Sequence, residues 1–219
     1  MLRRHILRFN GFQEFENSER LYRAFIVKPS KRYQQNGFTL LEILITMVIM
    51  AFGLLALSSL QNKMQMTQLE SYQRAQALIL LQDMADRINA NYSTAANYVT
   101  GTASPLGTGD SQPASCTSLA TGVTRDQCEW SRALKGSSET LASSNIGAMI
   151  GARGCVEQIQ APNTSSGVCA PGIYRVSVAW QGVNKTSTPS LGCGAGLYGE
   201  SSLQRVIATQ ITIGLLNCS

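Results

Sequence analysis

Gly37-Phe38-Thr39-Leu40-Leu41-Glu42 opens the apolar run that decides the fold. From Phe38 to Leu57 there is one formal charge, Glu42. The remainder is Leu, Ile, Met, Val, Phe, Ala, Gly and Thr. A helix rises about 1.5 Å per residue, so the run predicts a helix of roughly 30 Å, the thickness of one hydrocarbon core. Lys28, Lys31 and Arg32 lie just before it. That basic cluster predicts an N-terminus in the cytoplasm and the rest of the chain outside.

Two features go beyond an anchor. Gly37 stands immediately before the run, where a small residue suits a peptidase working at the membrane surface. Glu42 lies one turn inside, and a carboxylate near hydrocarbon costs a few kcal/mol on insertion scales unless it has a partner. A cut after Gly37 would make the α-amino group of Phe38 a cation, and the amine of a neighbouring subunit would then neutralise Glu42. Gly37-Phe38-Thr39-Leu40-Leu41-Glu42 followed by an apolar helix closely resembles the class III signal of type IV pilins and pseudopilins. The resemblance implies cleavage between Gly37 and Phe38 by a prepilin peptidase that also N-methylates Phe38, with Glu42 guiding assembly. An ordinary signal anchor has the same length and flank but gives Glu42 no purpose. A secretory signal peptide has a shorter apolar region.

The charge divides along the same boundary. Residues 1–37 hold Arg3, Arg4, Arg8, Arg20, Arg23, Lys28, Lys31 and Arg32 against Glu14, Glu16 and Glu19, a net +5. The whole 219-residue chain is also +5, so residues 38–219 are neutral. A nucleic-acid partner would need a basic face on the folded part, and composition offers none. The leader's Phe9, Phe12, Phe15, Tyr22 and Phe25 give it an amphipathic character suited to the inner leaflet. It is long for a pilin leader, and a misassigned start codon is an alternative.

All six cysteines, Cys116, Cys128, Cys155, Cys169, Cys193 and Cys218, follow the apolar run. An even count in an exported domain predicts three disulfides made in an oxidising compartment. A metal site is disfavoured: there is no Cys-x-x-Cys pair, and the chain's one histidine, His5, is in the leader. Six cysteines allow 15 connectivities. Short loops close at the least entropic cost, which favours the sequential set Cys116–Cys128, Cys155–Cys169 and Cys193–Cys218.

No proline occurs between Pro29 and Pro105, so the helix is expected to continue to about Asn91. After Leu57 it turns amphipathic, with Leu60, Met64, Thr67, Tyr72 and Ala75, then Leu78, Leu81, Ala85 and Ile88, at helical spacing. Asp83 and Arg87 form an i,i+4 pair of favourable orientation. Residues 92–122, rich in Ser, Thr, Gly, Ala and Pro, predict loop, mobile near Gly101–Gln112. A short helix is expected over Asp126–Leu134 with Trp130 as its apolar anchor, and loop again over Lys135–Asn145. In Gly172–Gly182 the residues Tyr174, Val176, Val178 and Trp180 share one strand face; Arg175, Ser177, Ala179 and Gln181 share the other. Val156–Gln160 reads as its hairpin partner across Ala161–Pro171, and Arg205–Ile213 as a further strand. Gly182–Ser202, carrying Cys193, reads as a Gly/Ser/Thr-rich connection. The expected fold is α+β: a long N-terminal helix, transmembrane then amphipathic, packed on an antiparallel sheet. Its divisions are a leader 1–37, a membrane half 38–57, an amphipathic half 58–91 and a head 92–219.

Catalytic constellations are missing from the sequence. Residues 38–219 contain no histidine, the commonest general base. Glu129, Glu139, Glu157 and Glu200 are scattered. Gly192-Cys193-Gly194-Ala195-Gly196 has no phosphate-loop Lys after it and reads as a cystine-stapled loop. No enzyme activity, cofactor or metal is expected.

Met84–Asn91 with Ala95-Ala96-Asn97-Tyr98, and the phrase from Pro171 to Gly182 with a Cys-Gly pair and a Thr-Gln-Ile strand after it, resemble PilV-type minor pilins. That resemblance implies a minor pilin that primes type IV pilus assembly in a tip complex, supporting adhesion and twitching motility. Its implied partners are the prepilin peptidase, other minor pilins, the major pilin and the inner-membrane assembly platform. The implied location is a single pass of the inner membrane with the head in the periplasm, then the pilus. Two alternatives stand beside it. A minor pseudopilin of a type II secretion system shares signal and helix, although no Asp-rich loop suggests a calcium-binding head. A membrane-anchored periplasmic binding module or enzyme predicts an uncleaved N-terminus and a polar pocket.

Overall fold

The computed structural model describes residues 37–137, 140–141, 144–145 and 149–215. The leader readings for residues 1–36, and Cys218, lie outside the described residues. The chain falls into two units, one ending at Phe52 and one beginning at Gly53. In the first, every described residue, 37–52, is exposed. In the second, the later part of the first helix packs on a sheet.

Helix α1 spans Leu40–Ala90, close to the expected span. It stops where the side chain of Asn91 donates to the carbonyl of Arg87 at 3.1 Å and so ties down the last turn. Its buried residues are Gln73, Ala77, Leu81, Met84, Ala85 and Ile88. Steps of three and four place these in one stripe. The expected stripe was right at Leu81, Ala85 and Ile88 but wrong at Leu78, which is 52% exposed. Residue 78 lies about 100° further round the helix than 77, so Ala77 takes the inward position. Leu60, Met64 and Tyr72 are exposed.

Four antiparallel strands form the sheet in the order β1-β4-β5-β6. They are β1 (Leu106–Gly107), β4 (Arg153–Gln160), β5 (Gly172–Gln181) and β6 (Gln204–Ile213). A separate two-stranded hairpin joins β2 (Thr140–Leu141) to β3 (Ser144–Asn145). β4 and β5 pair through Arg153↔Ala179 to Gln160↔Ile173, the expected hairpin. β5 and β6 pair over their whole length, from Gly172↔Ile213 to Gln181↔Gln204. The long apolar helix packed on a four-stranded antiparallel sheet is an α+β arrangement, the fold class expected, and is consistent with a pilin fold.

The inner face of β5 carries Tyr174, Val176, Val178 and Trp180, all buried with Ala77, Leu81, Met84 and Ile88 of α1. Helix α2 (Val123–Leu134) closes this core with Trp130 and Leu134. The Trp130 Nε1–H donates to the Leu80 carbonyl at 2.8 Å, which satisfies the one polar atom of a fully buried indole. The stretch 92–122 is more ordered than its composition suggests. It holds a 3₁₀ helix (Tyr92–Tyr98) and β1. Asp110 accepts from the Gly107 N–H at 2.7 Å and the Ser131 hydroxyl at 2.6 Å, and pairs with Lys135. One carboxylate thus ties the expected mobile loop to α2.

The outer face of β5 is also covered. Ser177 and Ala179 are fully buried, because the segment 182–203 folds back and sets Cys193 and Tyr198 over Cys155 and Ala179. The Gln204 side chain donates to the Cys193 carbonyl at 2.8 Å and fixes that segment.

This packing corrects the sequential disulfide pattern. Cys116–Cys128 forms as expected, binding the loop before α2 to its second turn. Cys155, however, bonds Cys193, not Cys169, and the expected Cys193–Cys218 bond is thereby excluded. Cys169 is disulfide-bonded as well. Closure entropy grows only with the logarithm of loop length, about 1 kcal/mol for a threefold longer loop. The alternation of β4 decides the pairing: Val156 faces the helix, so Cys155 faces outward, where the Cys193 segment lies.

Candidate processing and assembly site

The start of α1 is built by a short polar cap. Thr39 stands at the N-cap, and its hydroxyl accepts from the Glu42 backbone N–H at 3.3 Å. Its carbonyl accepts from the N–H groups of Glu42 and Ile43 at 3.0 and 3.3 Å. Thr39-Leu40-Leu41-Glu42 has the Thr-x-x-Glu pattern of a capping box. Glu42 is therefore a third helical residue, with its negative charge in the first turn, where the helix dipole favours it. Thr39 was missing from the residues singled out in the sequence, although the capping pattern was legible there.

Gly37 and Phe38 precede the helix without regular structure, and both are exposed, Phe38 by 77%. A Cβ built on Gly37 meets nothing within 4 Å. The chain's own packing therefore does not demand glycine at 37. The Gly37–Phe38 peptide bond lies on an accessible, non-helical segment, the form a peptidase takes up.

Phe38, Glu42, Ile43 and Thr46 line an open groove of about 230 Å³ on one side of the helix start. Phe38 and Glu42 are thus neighbours on one surface. Among the described residues Glu42 has no ion-pair partner. Around it Leu40, Leu41, Ile43, Leu44 and Ile45 are all roughly half or more exposed. Within α1 an 18-residue window reaches a mean hydropathy of 2.6 with none of it buried, long and apolar enough to cross a membrane.

The polar clusters of the head are structural in geometry. Arg87 Nε pairs with Asp83 at 3.0 Å, the expected i,i+4 pair. Its Nη1 also reaches Asp126 and Glu129 of α2, both at 2.9 Å, contacts across 39 and 42 residues that no local pattern signals. Burial works against the guanidinium charge, but these carboxylates outweigh it and hold the charge more firmly than usual. The Tyr98 hydroxyl, which donates to Asp126, is pushed upward by burial and by that acceptor. The cluster clamps α2 to the end of α1. Among the described residues no group of three or more His, Cys, Asp or Glu side chains is placed to hold a metal ion. Cys116, Cys128, Cys155, Cys169 and Cys193 are all disulfide-bonded and scattered over the head.

Residues 32–58 match the family described as the prokaryotic N-terminal methylation motif. No curated protein and no solved structure matches the chain. The matched segment contains Gly37, Phe38, Thr39 and Glu42 together with the apolar start of α1, and it supports a type IV pilin-like protein, either pilin or pseudopilin.

Proposed function

We propose that this chain is a minor type IV pilin of the PilV kind, a structural subunit without catalytic activity. Residues 1–37 are removed by a prepilin peptidase, which methylates the new amino group of Phe38. Residues 38–57 hold the precursor in the inner membrane, 58–91 continue the helix, and 92–219 form a periplasmic head. The helix then moves into a bundle of pilin helices. There the Glu42 carboxylate pairs with the α-amino group of an adjacent subunit and escapes the cost of burial in hydrocarbon. With other minor pilins, the subunit primes filament assembly on the inner-membrane platform and so supports adhesion and twitching.

The observation that carries this reading is the capped helix start. An exposed Gly37–Phe38 bond, a carboxylate in the first turn and an apolar surface all round serve a chain that is cut and then packed among other helices. A minor pseudopilin of a type II secretion system would use the same start. Surface filaments are to be counted in cells lacking this chain and complemented with wild type or Glu42→Leu. Loss of filaments without the chain, restored by wild type and not by Glu42→Leu, supports the pilus reading. Unchanged filaments with impaired protein secretion would replace it with the pseudopilin.

A further inference from the structure

The two edges of the sheet are finished differently. The outer side of β4 is closed from Arg153 to Val156, by β1 at Arg153 and Gly154 and by Thr100 and Gly101, whose N–H groups both donate to the Val156 carbonyl at 3.0 Å. Among the described residues β6, at the other end of the sheet, has β5 as its one neighbour. The Gly182 N–H donates to the Leu203 carbonyl at 2.8 Å, and this fixes the phase of the ladder. In antiparallel pairs the bonds alternate, so the backbone N–H and C=O groups of Val206, Ala208, Gln210 and Thr212 point to the open side.

The strand itself carries none of the usual guards. Val206-Ile207-Ala208-Thr209-Gln210-Ile211-Thr212-Ile213 contains no charge, proline or glycine. Natural edge strands are normally blunted by Lys, Pro, a bulge or a cover. The inner-face side chains Ile207, Ile211 and Ile213 touch the core yet remain partly exposed, so α1 does not cover this margin fully.

At the start of β6 the margin opens into a cavity of about 320 Å³ between the strand and α1, lined by Thr67, Glu70, Arg74, Trp180, Arg205 and Ile207 among others. Glu70 pairs with Arg205 at 3.2 Å. Arg74 is exposed and has no ion pair among the described residues. The cavity therefore carries one uncompensated positive charge.

We propose that β6 is a docking edge for an extended strand of another polypeptide, which adds to the sheet beside Val206–Thr212 and places an acidic side chain in the Arg74–Arg205 cavity. Main-chain bonds to the open edge supply affinity, and the cavity selects the side chain. A second copy of β6 would not fit this role, because residues 206–213 contain no acid to meet Arg74. The interface does not depend on which filament the chain joins.

The test uses the full chain in detergent micelles and a fluorescein-labelled nine-residue peptide of alternating Thr and Val with a central Glu, beside the same peptide with Lys. Anisotropy should show the Glu peptide binding about tenfold more tightly than the Lys peptide, since like-charge juxtaposition is strongly disfavoured. Gln210→Pro, which removes an outward N–H that β5 does not use, should weaken binding at least about tenfold. Arg74→Glu, an exposed change that leaves the backbone intact, should reverse the preference. Hydrogen exchange at Val206, Ala208, Gln210 and Thr212 should slow when the peptide binds. Absence of binding, or binding that neither substitution alters, would overturn the proposal. A dimer of the chain alone that Gln210→Pro turns into a monomer would also overturn it, by giving the edge to a second copy.

Discussion

The Trp130 indole packs directly against Gly154: a Cβ built on that glycine would stand 2.1 Å from the ring's Cη2. The fully buried indole thus occupies the place of a side chain on β4 and, through its Nε1–H bond to Leu80, links the sheet, α2 and α1. Gly154→Ala should push the ring out of this seat and destabilise the head by about 1–3 kcal/mol, the usual cost of overpacking. A thermal melt followed by tryptophan fluorescence checks it; an unchanged midpoint would show that the ring is not held there.

The Cys155–Cys193 bond fastens the segment 182–203 over the outer face of β5. Replacing both cysteines with Ala should cost about 2–4 kcal/mol, the usual range for a native disulfide. Peptide mapping without reduction should recover Cys155 linked to Cys193. Recovery of Cys155 linked to Cys169 would contradict this packing of the outer face.

Asp110 should make stability depend on acid. Burial raises its carboxyl pKa, but Lys135, the Ser131 hydroxyl and the N–H groups of Gly107 and Gln112 outweigh burial and hold it below the usual range. A depressed folded pKa means stability that is present above the unfolded value, about 3.9, and lost as pH falls through the folded one. Asp110→Asn should therefore cost about 2 kcal/mol at pH 7, in the range for bonds to a charged group. The gap from wild type should narrow below about pH 4. Denaturant unfolding at pH 7 and pH 3 measures both; an equal gap at the two would show that ionisation of Asp110 contributes nothing.

Gln73 is buried in the α1 stripe, and its Oε1 accepts no hydrogen bond in the described structure. Gln73→Leu should raise stability by about 1 kcal/mol, because an unpaired buried polar atom is costly. A higher denaturation midpoint is the expected result, and a lower one would show that the amide has a structural role.

The fold was legible where periodicity carried it. Alternation in Tyr174–Trp180 identified the core strand, and helical spacing identified Leu81, Ala85 and Ile88. Interactions that close over long separations were not legible. Nothing local in the sequence tells that Arg87 meets Asp126 and Glu129, that Ser177 and Ala179 are buried, or that Cys193 returns to Cys155. Leu78 and Gln73 show the limit of the helical pattern, since the choice between adjacent residues depends on which ridge the sheet meets. At the N-terminus the motif of six residues, Gly37 to Glu42, was clear in sequence because its meaning is chemical and local. What the structure added is the Thr39 cap that presents it.

N-terminal sequencing and intact mass of the chain from membranes, with and without prepilin peptidase, show whether the Gly37–Phe38 bond is cut. An N-terminus at N-methylated Phe38 is expected when the peptidase is present, and an intact leader when it is absent. A chain that still begins within residues 1–36 in the presence of active peptidase would contradict the pilin reading and leave a membrane-anchored head.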